Sequence, residues 1–307
     1  MAIDEPDDDH EAAGPPGRPP VVPALAGYTG HLVRAAYVAA LRHTRAHLPP
    51  GLQPREFGIL TTLATSGPRS QQELAELLDV NRTIMVKVVD RLEAAGLIER
   101  RRNPADRRSY ALEPTTEGMA ALAEFGPTLT EAENSFAARL TADEREHLNA
   151  RLRELLAGLG HEHPPEALAD RPGYLLAAVH RRTRDAFAAA LAPTGIEPRH
   201  FGALATIVAS APCSQQLVAE QLGVSGPVVV ALVDELEERG LVTRHRNAAD
   251  RRSYALEPTD EGRAVLANAR ELVDEYSRRI TTALGDEHDA QLRALLRKLL
   301  GVAPAGD

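Results

Sequence analysis

Cysteine occurs once in this chain, at position 213, and tryptophan not at all. A single cysteine excludes an intrachain disulfide framework and fits a reducing cytosol. No run of about 18 apolar residues is present, so no membrane-spanning helix and no membrane partner are expected. The N-terminus lacks a basic flank followed by an apolar core, so no secretory signal is expected. Lysine is confined to Lys87 and Lys298, and aromatic residues make up 4% of a chain that is 43% hydrophobic. Abundant Ala and Leu at 3.6-residue spacing then predict a mainly α protein with small β additions. The sequence pairs no nucleophile with a base, and it has neither a phosphate-cradling glycine loop nor a full metal-ligand set. Neither an enzyme nor a cofactor is therefore expected.

The formal charge is −9, which by itself argues against a nucleic-acid partner. Its distribution matters more than its sum. Residues 1–23 hold six acidic groups against Arg18, together with six prolines. They read as a disordered acidic tail that carries −5 of the total.

The remainder is one unit written twice. The stretch from Arg101 to Gly118, RRNPADRRSYALEPTTEG, returns as HRNAADRRSYALEPTDEG from His245 to Gly262, a shift of 144 positions. From Gly96 to Gly118, 18 of 23 positions are identical under that shift, and the register holds without a gap from Pro54 on Pro198 to Leu155 on Leu299. At 307 residues there is room for two domains of about 150 residues. Their expected extents are 24–157 and 174–303, joined by a His-, Pro- and Gly-rich linker at 158–173.

In the first copy a long helix is expected from about Ala24 to Leu48, and a second from Pro54 to Ala64, with Pro at a position where its missing N–H costs nothing. Ser70-Gln71-Gln72-Glu73 is a capping box. Asn81 is the N-cap of a helix that runs to Ala95 and is closed by Gly96. That helix buries Met85, Val88, Val89 and Leu92 and turns Arg82, Thr83 and Lys87 outward. Leu97 to Arg102 and Ser109 to Glu113 predict a hairpin around the polar loop Asn103 to Arg108. Thr115 opens a further long helix, and Thr141-x-x-Glu144 caps the last one. Two helices around a short turn, followed by a basic hairpin, form a winged helix-turn-helix. Its second helix fits the DNA major groove, and its wing reaches the backbone or minor groove.

At these residues the chain resembles the MarR family of bacterial transcriptional regulators. The likeness lies in VVDRLEAAGLIER, then in the wing with Asp106-x-Arg108, Leu112, Thr115 and Gly118, and it covers both copies. Pro114 and Pro258 depart from it, standing where the family has an apolar strand residue, and are expected to end the second strand early. The resemblance implies tandem winged helix-turn-helix repeats that form an intramolecular pseudo-dimer with interwoven first and last helices. It also implies a double-stranded DNA partner with an imperfect palindrome. A small-molecule effector is implied as well, with phenolic or antibiotic-like compounds the first candidates, and DNA release as the mode of a repressor.

The copies differ in their reading groups. Under the shift Arg82 becomes Gly226, Thr83 becomes Pro227, Lys87 becomes Ala231 and Arg91 becomes Glu235. Residues 81–108 hold eight basic and four acidic side chains, whereas 225–252 hold five of each. Phosphate affinity scales with the cations placed on the backbone, so the first copy is the expected stronger reader. Its DNA contacts are expected from Arg82, Thr83, Lys87, Arg102, Arg107 and Arg108. The second copy contributes Ser225, as helix cap, with Arg246, Arg251 and Arg252, and either clamps backbone or reads thymine methyls through Ser225, Val229 or Val230. Asp106 with Arg108, and Asp250 with Arg252, are expected to pair and aim the wing guanidinium. Tyr37, Phe57, Phe187 and Phe201 are the candidate lining of an effector pocket, although Phe57 and Phe201 read equally as core. His43 and His47 stand at i, i+4, but without a nearby carboxylate or Cys they make an incomplete metal set. Cys213 precedes a helix start without a second thiol to resolve it, so an incidental role is expected. The competing reading is a ligand-sequestering or resistance protein on the same scaffold, with weak or no specific DNA binding.

Overall fold

A computed structural model describes residues 20–48, 52–102, 110–161, 163–246 and 254–303. The expectations for Asp106, Arg107, Arg108, Asp250, Arg251 and Arg252 fall outside these residues. In the first repeat the helices are α1 (Thr29–Arg45), α2 (Pro54–Ser66), α3 (Gln71–Leu77), α4 (Arg82–Ala94), α5 (Thr116–Phe136) and α6 (Ala142–Gly158), with strands β1 (Arg69–Ser70), β2 (Ile98–Arg102) and β3 (Tyr110–Pro114). The second repeat follows the same order with α7 (Pro172–Leu191), α8 (Pro198–Ser210), α9 (Gln215–Leu222), α10 (Gly226–Glu238), α11 (Asp260–Leu284) and α12 (Asp286–Leu300), and strands β4 (Cys213–Ser214), β5 (Val242–Arg246) and β6 (Tyr254–Pro258). Among the described residues, no single helix is long and apolar enough to cross a membrane.

The local signals act as their chemistry predicts. Ser70 Oγ accepts the Glu73 N–H at 3.2 Å while the Glu73 carboxylate accepts the Ser70 N–H at 2.7 Å. Thr141 and Glu144 repeat this reciprocal pair. Asn81 Oδ1 accepts the Thr83 N–H at 2.7 Å, which satisfies one orphan donor of α4. Three expectations need correction. The long first helix breaks into a 3-10 turn at Pro23–Leu25 and α1 from Thr29, because the Ala26 carbonyl accepts from Arg297 at 2.8 Å rather than from a helical amide. The second hairpin strand runs one residue past its expected end at Glu113: Pro114 is its last residue, opposite Ile98, and Pro258 likewise closes its strand opposite Val242. Each hairpin also gains a third short strand, so the sheets run β1-β3-β2 and β4-β6-β5.

The chain forms two compact units, Met1–Ala39 with Arg182–Asp307, and Ala40–Arg181. Each unit therefore contains pieces of both repeats, and the divisions fall inside α1 and α7. In the first unit, Val22 and Leu25 join the core of the second repeat, with Phe201, Leu204, Val229, Val233 and Leu256. Residues 20–23, which the sequence reading assigns to the acidic tail, thus carry the buried Val21 and Val22. Tyr28 Oη donates to Asp274 at 2.6 Å. Asp289, fully buried, accepts from Thr29 and from Thr281 (2.8 Å) and pairs with Arg293. In the second unit the last helix of the first repeat holds the approach to α7. Arg153 donates to the Ala169 carbonyl at 3.1 Å and Asn149 donates to the Asp170 carbonyl at 2.7 Å, while Glu133 of α5 pairs with Arg171 at 3.3 Å. Arg297 and Arg153 are equivalent under the 144 shift. In each unit, then, the last helix of one repeat captures the segment leading into the first helix of the other. Apolar burial supplies most of the driving force, at roughly 1.5–3 kcal/mol per fully buried Leu or Val.

Candidate nucleic-acid interface

The near-identical wing stretch is explained by its joint with the helix before it. Thr115 Oγ donates to the Gly96 carbonyl at 2.6 Å and accepts the Gly118 N–H at 3.0 Å. A Cβ on Gly118 would stand 2.0 Å from the Leu97 carbonyl oxygen, so only glycine fits this close approach. Thr259, Gly240 and Gly262 repeat the arrangement in the second repeat. The strand after the reading helix is tied back to it: Arg100 pairs with Asp90 at 2.7 Å and Glu93 at 3.0 Å. Arg244 pairs with Asp234 at 2.5 Å and Glu237 at 3.3 Å. These arginines orient the wing and are not free for phosphate.

On α4 the outer face presents Arg82, Thr83, Val86 and Lys87, all exposed, with Arg101 and Arg102 exposed on β2. Arg82 is steered by Gln72 of the preceding helix at 3.2 Å. Cations on an exposed helix face behind a capped N-terminus are what groove insertion requires. Arg91 does not belong to this set. Its Nε pairs at 3.0 Å with Glu56, whose side chain is 4% exposed and which also accepts the Gln53 N–H at 2.8 Å. It is a bracket between α2 and α4.

The second repeat replaces both sets. Its outer face is Gly226, Pro227, Val228, Val230 and Ala231, with Val228 and Val230 38% and 45% exposed. Val229 is fully buried, which removes it from any base contact: one step along the helix rotates it onto the core face. Ser225 occupies the N-cap position, yet its side chain makes no cap hydrogen bond, and Pro227 has eliminated one of the amides it would serve. The bracket survives with inverted chemistry. Glu235, in place of Arg91, accepts from His200 Nε2 at 2.7 Å and pairs with Arg199 at 3.1 Å. His200, in place of Glu56, accepts the Glu197 N–H on Nδ1 at 3.1 Å. Burial lowers the His200 pKa, opposed by its bond to Glu235. The change from Arg91 to Glu235 is therefore a swapped pair, not a lost DNA contact.

Arg246 lies on β5 opposite Tyr254, as Arg102 lies opposite Tyr110. Tyr110 and Tyr254 are 54% and 48% exposed. Sequence reasoning passed over them, although identical exposed aromatics in both wings of a chain so poor in aromatics were a visible signal.

Two of the four effector candidates, Phe187 and Phe201, pack together. Tyr37 is buried at 7% exposure and Phe57 sits in a cluster with Leu48 and Leu129. Phe187 packs edge-on against Phe201 at 5.9 Å and against Tyr276 at 5.7 Å, while Tyr276 Oη donates to the Thr183 carbonyl at 2.9 Å. The His43 and His47 rings lie 4.7 Å apart at a tilt of 40°, and His43 shares a hydrogen bond with Ser135 at 2.6 Å. Among the described residues no group of three or more His, Cys, Asp or Glu is placed to hold a metal. Cys213 is buried opposite Leu256, and burial raises its thiol pKa.

Comparison with known proteins follows the repeat. MarR family profiles match residues 52–110 and 194–253. A protein of Thauera aromatica named as a transcriptional regulator for the hcr operon is 37% identical over 134 residues, covering 43% of this chain and 81% of the relative. The HTH-type transcriptional repressor NicR of Pseudomonas putida is 31% identical, covering 41% of this chain and 81% of its own length. Among solved structures, CouR from Rhodococcus jostii RHA1 bound to p-coumaroyl-CoA is 35% identical, covering 44% of this chain and 95% of that one, with a TM-score of 0.40.

Proposed function

The chain belongs to the MarR family, with two family domains in tandem, and from that premise we propose that it is a sequence-specific DNA-binding transcriptional regulator, a repressor released by a small-molecule effector, in which the first repeat is the stronger reader. The observation that carries this reading is the contrast between two equivalent helix faces. α4 exposes Arg82, Thr83 and Lys87, whereas α10 exposes Gly226, Pro227 and Ala231 at the same positions. The first repeat contacts bases and phosphate from α4 and from Arg102. The second lays a neutral face on the duplex and clamps backbone through Arg246 and the wing. The names of the relatives in Thauera aromatica and Pseudomonas putida support transcriptional control as the role.

Fluorescence anisotropy of the full chain on the DNA upstream of its own coding sequence, at two salt concentrations and against random competitor, tests the reading. Competitor-resistant, salt-sensitive binding is expected. Binding no tighter than to random DNA would overturn it in favour of a ligand-sequestering role.

A further inference from the structure

The turn that joins α3 to α4 sets the direction of the reading helix, and in the two repeats it is built differently. In the second repeat the turn residue is Gly223 with φ 69, a left-handed conformation that glycine adopts without steric cost. The equivalent in the first repeat is Asp79 with φ 51, the one described non-glycine residue with positive φ. Such a residue costs on the order of 1 kcal/mol and persists where its surroundings over-determine it.

Those surroundings include an arginine from the other repeat. Arg181, on α7, donates from Nε to the Asp79 carbonyl at 3.1 Å and from Nη2 to the Leu78 carbonyl at 3.0 Å. The planar fork thus grips two successive carbonyls of the turn, a geometry that guanidinium offers and ammonium does not. Beyond the grip, the Val80 N–H bonds to the Ala75 carbonyl at 2.9 Å and Asn81 caps α4. The gripped carbonyls therefore lie three and four residues before the first DNA-facing side chain, Arg82. The residue equivalent to Arg181 under the 144 shift is Tyr37, so the glycine turn and the arginine fork are exchanged together.

We propose that Arg181 is a positioning residue for DNA reading by the first repeat, holding from the second repeat the left-handed turn that aims α4. The proposal rests on the DNA-binding reading above for its consequence, but the grip itself is testable without DNA. It makes the first repeat's reading helix dependent on the second repeat's first helix.

The experiment compares the full chain with Arg181→Ala, Arg181→Lys and Arg181→Ala combined with Asp79→Gly. Hydrogen exchange in the free protein is read at the Val80 and Met85 amides, with Val224 and Val229 as the equivalent sites in the second repeat. Anisotropy is read on operators with one or the other half-site scrambled. Arg181→Ala is expected to speed exchange at Val80 and Met85 alone. It is also expected to weaken DNA about tenfold, with the loss confined to the half-site of the first repeat. The salt dependence stays as in the wild type, since no phosphate contact is removed. Lysine, which keeps the charge but lacks the rigid planar fork, gives an intermediate value, and Asp79→Gly restores most of the loss by removing the strain. Unchanged exchange at Val80 and Met85, equal losses in both half-sites, or no rescue by glycine would each overturn the proposal. If the wild type binds no specific DNA, the regulator reading fails instead, and exchange still decides whether the fork holds the turn.

Discussion

Exchanging the bracket of the second repeat for that of the first tests how α2 and α8 are locked to the reading helices. Glu235→Arg removes the acceptor of His200 Nε2, whose side chain is fully buried. The new guanidinium would also stand among the cations of Arg199 and Arg239, which already act on His200. An unpaired buried donor costs about 1–3 kcal/mol, so about 2 kcal/mol of destabilisation is expected. His200→Glu alone sets a buried carboxylate beside Glu235, and a similar loss of about 2 kcal/mol is expected from like-charge repulsion and desolvation. The double variant rebuilds the Glu56–Arg91 arrangement, including the carboxylate cap on the α-helical N-terminus. It should return to within about 1 kcal/mol of wild type, a coupling of about 3 kcal/mol, at the upper end for residues in contact. The ion pair is a small part of this, because Arg91 is 53% exposed and exposed pairs contribute at most about 1 kcal/mol. Most of the recovery comes from satisfying the buried groups. Urea denaturation at pH 7.5, followed by helical circular dichroism, measures all four proteins. Additive losses in the double variant would refute the reasoning. The pH dependence provides a second reading. Burial holds the folded pKa of His200 below its ordinary 6.5, so the unfolded chain binds the proton more readily. The contribution of His200 is whole above pH 6.5 and is lost as pH falls below it, and the double variant should lose that part of the slope.

Two further outcomes follow from the packing. Gly118→Ala gains about 1 kcal/mol of helix propensity, but its Cβ would overlap the Leu97 carbonyl at 2.0 Å. A net loss of about 2 kcal/mol or more is expected in thermal unfolding, and an unchanged melting temperature would contradict the close approach. Cys213, at 6% exposure with its thiol pKa raised by burial, should react with a disulfide reagent only after denaturation. Rapid labelling of the folded protein would contradict its place in the core.

Signals that act over three or four residues were legible before the structure. Ser70 with Glu73, Asn81, Gly96 and Thr141 with Glu144 each serve a neighbouring amide or turn, and the 144-residue repeat set one copy beside the other. What escaped depends on partners far apart in the chain. Arg91 looked like a reading cation because its partner, Glu56, is 35 positions away on another helix, and Arg181 reaches a turn 103 residues upstream. The break before α1 was equally hidden, since Arg297 takes the Ala26 carbonyl from 271 positions downstream. Val229 was misjudged by a single step of helical phase: its neighbours Val228 and Val230 face outward, and it faces the core.

The unequal reading faces make the most direct demand on experiment. Affinity should be measured by anisotropy for the full chain on three duplexes: the intact operator, and the same operator with either half-site scrambled. Scrambling the half-site of the first repeat, identified as the one whose loss makes Arg82→Ala silent, should abolish specific binding, while scrambling the other should cost far less. Equal losses from the two scrambled duplexes would contradict the claim that one chain carries a strong reader and a weak one.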